Sequence, residues 1–147
     1  MSLDAPTHVA ALRAARFAAL VHSCEITVPT GAPDDVSGNL PAPAVAYAGR
    51  CRLVDVRRQR DLADDAAPAV EADARLDLPA VGPAGAADGI AAATVVALEE
   101  HLDRAAGHVD ADGLRRPVRV KAVEVHATGT LLFVDFTGPA GVIPADA

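Results

Sequence analysis

Few residues in this sequence have the types and spacings that catalysis requires. A serine or cysteine nucleophile needs a histidine that a carboxylate holds in place. None of the serines stands in a Gly-x-Ser-x-Gly elbow between a strand and a helix. No glycine-rich loop has the spacing that cradles a phosphate. The sequence therefore predicts no catalytic residue, no cofactor and no enzyme.

The residues that come closest to the pattern of a metal site lie around His101 and His108 in the last third of the chain. His101 and His108 stand close to Asp103 and Asp110. The sequence has no close helical pair of histidines and no Cys-x-x-Cys pair, and the acidic run that ends at Gly113 is only a fragment of a calcium loop. We expect solvated loop side chains and no metal. A metal held by His101, His108 and Asp110 would instead indicate a small metal-dependent enzyme.

The two cysteines lie in segments with strand periodicity. Cys24 shares its face with Ile26, and Cys51 shares its face with Leu53. Both are expected to be small buried core residues. A disulfide between the two cysteines remains an alternative if their strands pair, although a reducing compartment disfavours it.

Arginines and aspartates are concentrated in one polar segment that has no clear period. Arg57, Arg58 and Arg60 open it, and Asp64 and Asp65 follow. A solvated loop edge with internal ion pairs is the simpler interpretation. The alternative is a contact with a neighbouring subunit or with DNA, since the arginine fork suits both partners. These five residues are the candidate subunit or DNA-channel contacts.

The composition excludes several classes of protein. The 147 residues correspond to one domain, and they are 51% hydrophobic but only 3% aromatic, which predicts a small core that gains stability from neighbouring subunits. The net charge of −7 is the reverse of the basic stripe of a sequence-specific nucleic-acid-binding protein. No apolar run is long enough to span a membrane, and the first residues show no signal-peptide pattern. We therefore expect a soluble intracellular protein without a membrane partner.

Hydrophobic periodicity predicts a helix followed by short strands and long loops. The apolar stripe of the helix includes Val9, Leu12 and Leu20, and the second strand carries Gly49, which indicates a bulge or bend. The Ala-rich segments at 58–72 and 80–93 are expected to be ordered by other subunits. The first three strands are predicted at 23–29, 43–57 and 73–79. The single domain 1–147 divides into the helix at 4–22, a β-barrel at 23–137 with long loops at 30–42, 58–72 and 80–92, and a tail at 138–147.

One stretch of the last third is ambiguous. Residues 93–98 have β-branched character and predict a strand that runs into a short helix or turn, with Gly107 as the stop. A single helix over 90–106 is the alternative. Residues 108–115 are predicted to form a loop.

The clearest signals come from a hairpin near the end of the chain. Its strands are predicted at 117–126 and 131–137, and a phase shift at Ala122–Val123 indicates a bulge. The total of about six strands with one attached helix predicts a mainly β chain folded as a small antiparallel barrel or rolled sheet.

Two strand motifs resemble those of a family of small virion proteins. Cys24-Glu-Ile-Thr27 lies in the first predicted strand and Tyr47-Ala-Gly-Arg-Cys-Arg52 in the second; Leu76-Asp-Leu-Pro79 is weaker support. In this order and spacing they resemble the head–tail connector proteins of actinobacterial tailed phages, in particular the stopper or head-closure proteins of siphophages. The resemblance covers residues 5–137. The sequence departs from the family pattern at 90–112 and in the last strand, which lacks a cysteine.

The resemblance implies a small SH3-like barrel in a structural protein of the phage neck. Such proteins form a homo-oligomeric ring, commonly a hexamer, that closes the DNA channel of the filled head and docks the tail. The partners would be the portal and adaptor proteins above, the tail terminator or tail tube below, and genomic DNA that passes without sequence-specific binding. The location would be the head–tail interface of the virion, and the host cytoplasm during assembly.

Three rival functions stay open. A tail terminator, a ring at the top of the tail tube, usually combines helices with a four-stranded sheet, so a helix at 90–106 would favour it. A monomeric binding module of the barrel type would form no ring. The small metal-dependent enzyme is the most distant alternative.

Overall fold

The computed structural model describes residues 5–31, 36, 38, 42–54, 72–82 and 89–143. Within these residues the chain forms two helices and seven strands. In chain order they are α1 (Ala5–Ala18), β1 (His22–Val28), β2 (Ala44–Val54), β3 (Ala74–Leu78), α2 (Ala92–Glu100), β4 (Ala106–Ala111), β5 (Leu114–His126), β6 (Gly129–Phe136) and β7 (Gly141–Val142).

Six of these strands close into an antiparallel barrel. The order around the sheet is β4-β1-β2-β3-β6-β5, and β4 pairs with β5 to complete the circle. Strand β5 makes closure possible because its first part pairs with β4 and its second part pairs with β6. The short β7 adds to the beginning of β5. The predicted mainly β fold, a small antiparallel barrel of about six strands with an N-terminal helix, is confirmed.

The core follows from the alternation of side chains along the strands. In β3, Leu76 and Leu78 are buried, whereas Arg75 and Asp77 face outward. The same period of two fills the barrel from all six strands, because successive side chains point to opposite faces of a sheet. The largest fully buried side chains of the core cluster are Ile26, Leu76, Leu98, Leu132, Val109, Val118, Val120 and Val134.

Two irregularities bend the barrel strands. The register of the β5–β6 pair shifts between Val120 and Ala122, which confirms the bulge predicted from the phase of the apolar residues. The register of the β1–β2 pair shifts between Ile26 and Thr27. Ile26 pairs with Tyr47 and Thr27 pairs with Val45, so Ala46 has no partner in β1. The bulge predicted at Gly49 therefore lies three residues earlier, and Gly49 itself pairs regularly.

A helix, α2, occupies the stretch predicted to be a strand at 93–98. That prediction is wrong, and the alternative of a helix over 90–106 is right in type but too long. Val95 and Leu98 lie one turn apart and are both buried, whereas Val96 is 51% exposed. No side chain caps the helix, and two acidic residues occupy its last turn. Burial of one face, rather than local propensity, therefore selects the helix.

A tight hairpin replaces the loop predicted at 108–115, so that prediction is also wrong. Ala111 pairs with Leu114, and the turn between them contains only Asp112 and Gly113. Both turn residues have positive φ values, 54° and 79°, as a type I′ turn requires. Gly107, predicted to stop a helix, lies inside β4 between β1 and β5.

Several predicted boundaries shift. Helix α1 ends at Ala18, short of the predicted end at 22, and part of the predicted tail forms β7. The ends of the loop predicted at 80–92 are joined by a parallel bridge between Val81 and Ile90, and Ile90 is buried. The barrel itself therefore orders these ends, contrary to the expectation for 80–93. The loops predicted at 30–42 and 58–72 lie largely outside the described residues.

The buried side chain of Thr130 leads to a specific prediction about the stability of the barrel. Thr130 is fully buried, and its hydroxyl has no hydrogen-bond partner. We expect Thr130→Val to raise the free energy of unfolding by about 1 kcal/mol, because valine keeps the shape and removes an unsatisfied polar group. Urea denaturation measures the change. The matched variant is Thr27→Val, which removes a hydroxyl that donates to the Ala106 carbonyl and should lower stability; a loss of stability in Thr130→Val would contradict the prediction.

Candidate functional site

The predicted contact residues Arg57, Arg58, Arg60, Asp64 and Asp65 all lie outside the described residues. Their role stays a prediction. The described residues fix where their segment attaches, because β2 and β3 are antiparallel neighbours and the register pairs Val54 with Arg75. The two described ends to which the segment connects therefore lie side by side in the sheet.

The two strands that carry the resemblance motifs lie side by side in the barrel. Cys24 pairs with Gly49, and Ile26 pairs with Tyr47. The motif residues Cys24, Ile26 and Cys51 point into the core, while Arg50 and Arg52 are exposed. The two motifs thus form one paired unit, with a buried face and a basic outer face.

The two cysteines are buried and free. The hydrogen bond between the two side chains, followed by burial, raises the pKa of the Cys24 thiol above its ordinary value. Buried neutral thiols behave as small apolar residues and react slowly. The expectation of small core residues is confirmed, and the alternative of a cross-strand disulfide is not adopted in this structure.

Of the residues considered for a metal site, Asp110 is engaged by an arginine. Asp110 accepts two hydrogen bonds from the guanidinium of Arg115, at 2.8 and 3.1 Å. The ring of His108 lies 3.8 Å from the same carboxylate, whereas His101 follows the end of α2 and has a buried, unpaired Nδ1. In the part of the chain that the structure describes, no three His, Cys, Asp or Glu side chains are grouped to hold a metal ion.

The Asp110–Arg115 pair predicts a pH dependence. The hydrogen bonds from Arg115 hold the pKa of Asp110 below its ordinary value in the folded state. Because the folded-state pKa is depressed, the pair stabilises the protein above the unfolded-state pKa of about 4, and this contribution is lost as the pH falls. We expect Asp110→Asn to lower Tm at pH 7 and the difference from wild type to vanish near about pH 2. Thermal melts of both proteins across this range measure it; a gap that is constant with pH would contradict it.

Helix α1 is largely exposed. Of its residues from His8 onwards only Val9 and Phe17 are half-buried, and Leu12, in the centre of the predicted apolar stripe, is 41% exposed. Two arginines attach the helix region to the barrel. Arg13 Nε donates to the Ala127 carbonyl at 2.7 Å, and Arg50 Nε donates to the Leu20 carbonyl at 3.0 Å. The helix is therefore held in place by polar contacts, and of its predicted apolar stripe Leu20 is buried, Val9 is half-buried and Leu12 remains exposed.

A cleft of about 460 Å³ separates α1 from β2 and α2. Arg50 lies over the ring of Phe17, 4.7 Å from its centroid, and the Tyr47 hydroxyl donates to the Arg50 carbonyl. Burial is the main cause that raises the pKa of Tyr47 above its ordinary value. These contacts hold Phe17, Tyr47 and Arg50 together in the wall of the cleft.

Comparisons with protein-family models, with curated proteins and with solved structures give no match to this chain. Among the described residues, neither helix has the length and apolar character needed to cross a bilayer.

Proposed function

We propose that this protein is a structural component of the phage neck, a stopper that assembles as a ring at the head–tail joint. The ring closes the DNA channel of the filled head and provides the platform on which the tail docks. Portal and adaptor proteins lie above it, and the tail terminator or tail tube lies below. Six subunits is the number we expect.

The exposed Leu12 on helix α1 is the observation that carries the oligomeric part of this proposal. A helix fixed to the barrel by Arg13 and Arg50, with Leu12 in the open, is arranged to pack against another surface. Exposed apolar side chains on a positioned element are typical of protein interfaces. A neighbouring copy in a ring would cover Leu12 and supply apolar burial that the small core lacks.

The family assignment is supported by the pairing of the motif strands. Cys24-Glu-Ile-Thr27 and Tyr47-Ala-Gly-Arg-Cys-Arg52 form the adjacent strands β1 and β2, so the resemblance involves one continuous piece of structure. The closed barrel also agrees with the small barrel that the resemblance implies. These observations support membership of the stopper family over an unrelated protein that shares only a barrel fold.

The tail terminator is the second candidate because helix α2 is present. A helix in this part of the chain is the feature expected to favour that protein. However, a tail terminator usually combines its helices with a four-stranded sheet, whereas six strands close into a barrel here. The barrel therefore favours the stopper, and α2 is accommodated as a cap on its core through Leu98.

A binding assay on a portal–adaptor assembly tests the proposal through α1. Leu12→Glu places a charge in the proposed interface and should weaken ring assembly on the portal–adaptor complex about tenfold or more, since a charge buried without a partner is costly. Val96→Glu is the matched control, because Val96 is a similarly exposed apolar residue on the other helix. Equal binding by wild type and Leu12→Glu would contradict the α1 interface. Stoichiometric zinc in the purified protein would instead favour the metal-dependent enzyme.

A further inference from the structure

A recess with an arginine-rich lining lies between α1 and the outer faces of β2 and β3. Its volume is about 220 Å³. Arg16 reaches it from α1, Arg52 from β2 and Arg75 from β3, and Asp77 is the one acidic residue in the described lining. Three arginines from three different elements therefore line one small space.

The charges in the recess are unbalanced. Arg75 is paired with Asp77, with Nε and Oδ1 at 2.7 Å and Nη2 and Oδ2 at 3.3 Å. This pair leaves Nη1 of Arg75 outside it. Arg52 lies directly opposite Asp77 in the strand register, but neither Arg52 nor Arg16 forms an ion pair with another described residue. Two full positive charges and a spare donor group thus remain.

The excess of positive charge in the recess is a local feature and does not reflect the charge of the whole chain. The residues that the structure describes carry as many basic as acidic side chains, so the chain's negative net charge belongs to the other segments. Arg13 and Arg50 donate to backbone carbonyls, which fixes the helix region beside the sheet. Arg16 itself passes 3.7 Å from the position that a Cβ on Gly129 would occupy. The arrangement is therefore held in place from several sides.

We infer that this recess is an anion site for a phosphate group, either free or as part of a nucleic-acid backbone. A planar carboxylate is satisfied by one guanidinium fork, as Asp77 is by Arg75. A tetrahedral phosphate presents oxygens in several directions and so matches donors that converge from three elements. The inference goes beyond the proposed function, because it rests on the recess alone and holds for an isolated protomer.

The matched variants are Arg16→Gln and Arg52→Gln, which change exposed side chains on two different elements, and Arg104→Gln as the control. Arg104 is also exposed, but it lies beside Thr27 and Pro29, at the opposite end of β1 from the recess. Each variant removes one positive charge and keeps a polar side chain. Thermal melts check that all three remain folded.

Calorimetric titration of the full chain at low salt then tests the inference with inorganic phosphate, a short DNA duplex of mixed sequence and acetate. We expect saturable binding of phosphate or duplex that weakens about tenfold in Arg16→Gln and in Arg52→Gln and stays within about twofold in Arg104→Gln. Tighter binding of the duplex than of phosphate would identify a nucleic-acid backbone as the source of the group. The inference is overturned if neither phosphate nor duplex binds, if acetate binds as tightly as phosphate, or if Arg104→Gln causes an equal loss.

Discussion

Replacing Gly107 with alanine is expected to cost about 3 kcal/mol or more of folding free energy. Gly107 lies in β4, opposite Ile26 of β1 and Val118 of β5, at the pairing that closes the barrel. A Cβ at this position would overlap the carbonyl oxygen of Glu25 and lie 2.9 Å from the Cα of Ile26. Both atoms belong to backbone that cannot move without separating the strands. A glycine inside a strand often marks such a close approach.

Gly141→Ala is the matched control for that substitution. Gly141 is also in a strand, β7, and nothing lies within 4 Å of the position that its Cβ would take. We expect this variant to remain within about 0.5 kcal/mol of wild type. Chemical denaturation of both variants provides the comparison. A Gly107→Ala protein as stable as Gly141→Ala would show that β4 does not approach β1 as described.

Replacing Leu98 with alanine is expected to lower the free energy of unfolding by about 3 kcal/mol. Leu98 is the residue through which α2 enters the barrel core, and it is fully buried in the main apolar cluster. Truncation to alanine would leave a cavity between the helix and the sheet. Because α2 has no side-chain cap and acidic residues in its last turn, little else holds it in the helical state.

Val96→Ala on the same helix separates the effect of burial from that of helix propensity. Val96 is 51% exposed, and alanine is a better helix former than valine. Its stability should therefore change by at most about 0.5 kcal/mol. The unfolding midpoints and slopes in urea measure both variants. If Leu98→Ala proved as mild as Val96→Ala, α2 would not seal the core.

The strands of the barrel could be predicted wherever one face is buried and the other is solvated. β1 and β3 show strict alternation, and the phase shift in β5 located its bulge near Ala122. The type of α2 could not be read from the same kind of signal. Its β-branched residues favour a strand locally, and only the tertiary burial of Val95 and Leu98 selects a helix.

Strand β4 was missed for a different reason. Gly107, His108 and Asp110 have the composition of a loop, and their place in the sheet depends on partners on both sides. The pair Asp112-Gly113 was nevertheless an available signal, because Asp-Gly is favoured in two-residue hairpin turns. Taken as a turn signal, Asp112-Gly113 predicts the β4–β5 hairpin.

The sequence also predicts only part of the candidate contact surfaces. Alternation predicts that Arg52 faces outward, and an amphipathic pattern predicts that α1 has an apolar stripe. Neither pattern tells which elements are neighbours. The grouping of Arg16, Arg52 and Arg75 depends on the packing of α1 against β2 and β3, which are far apart from it in the sequence. A surface formed by three separate elements becomes evident only with the topology.

We propose that this small barrel assembles as a ring at the joint between phage head and tail. Cryo-electron microscopy of the full chain mixed in excess with a portal–adaptor assembly tests it most directly. We expect a closed ring of side-by-side barrels beneath the adaptor, with α1 of each subunit in contact with its neighbour. A protein that remains monomeric and leaves the portal–adaptor assembly without added density would contradict it.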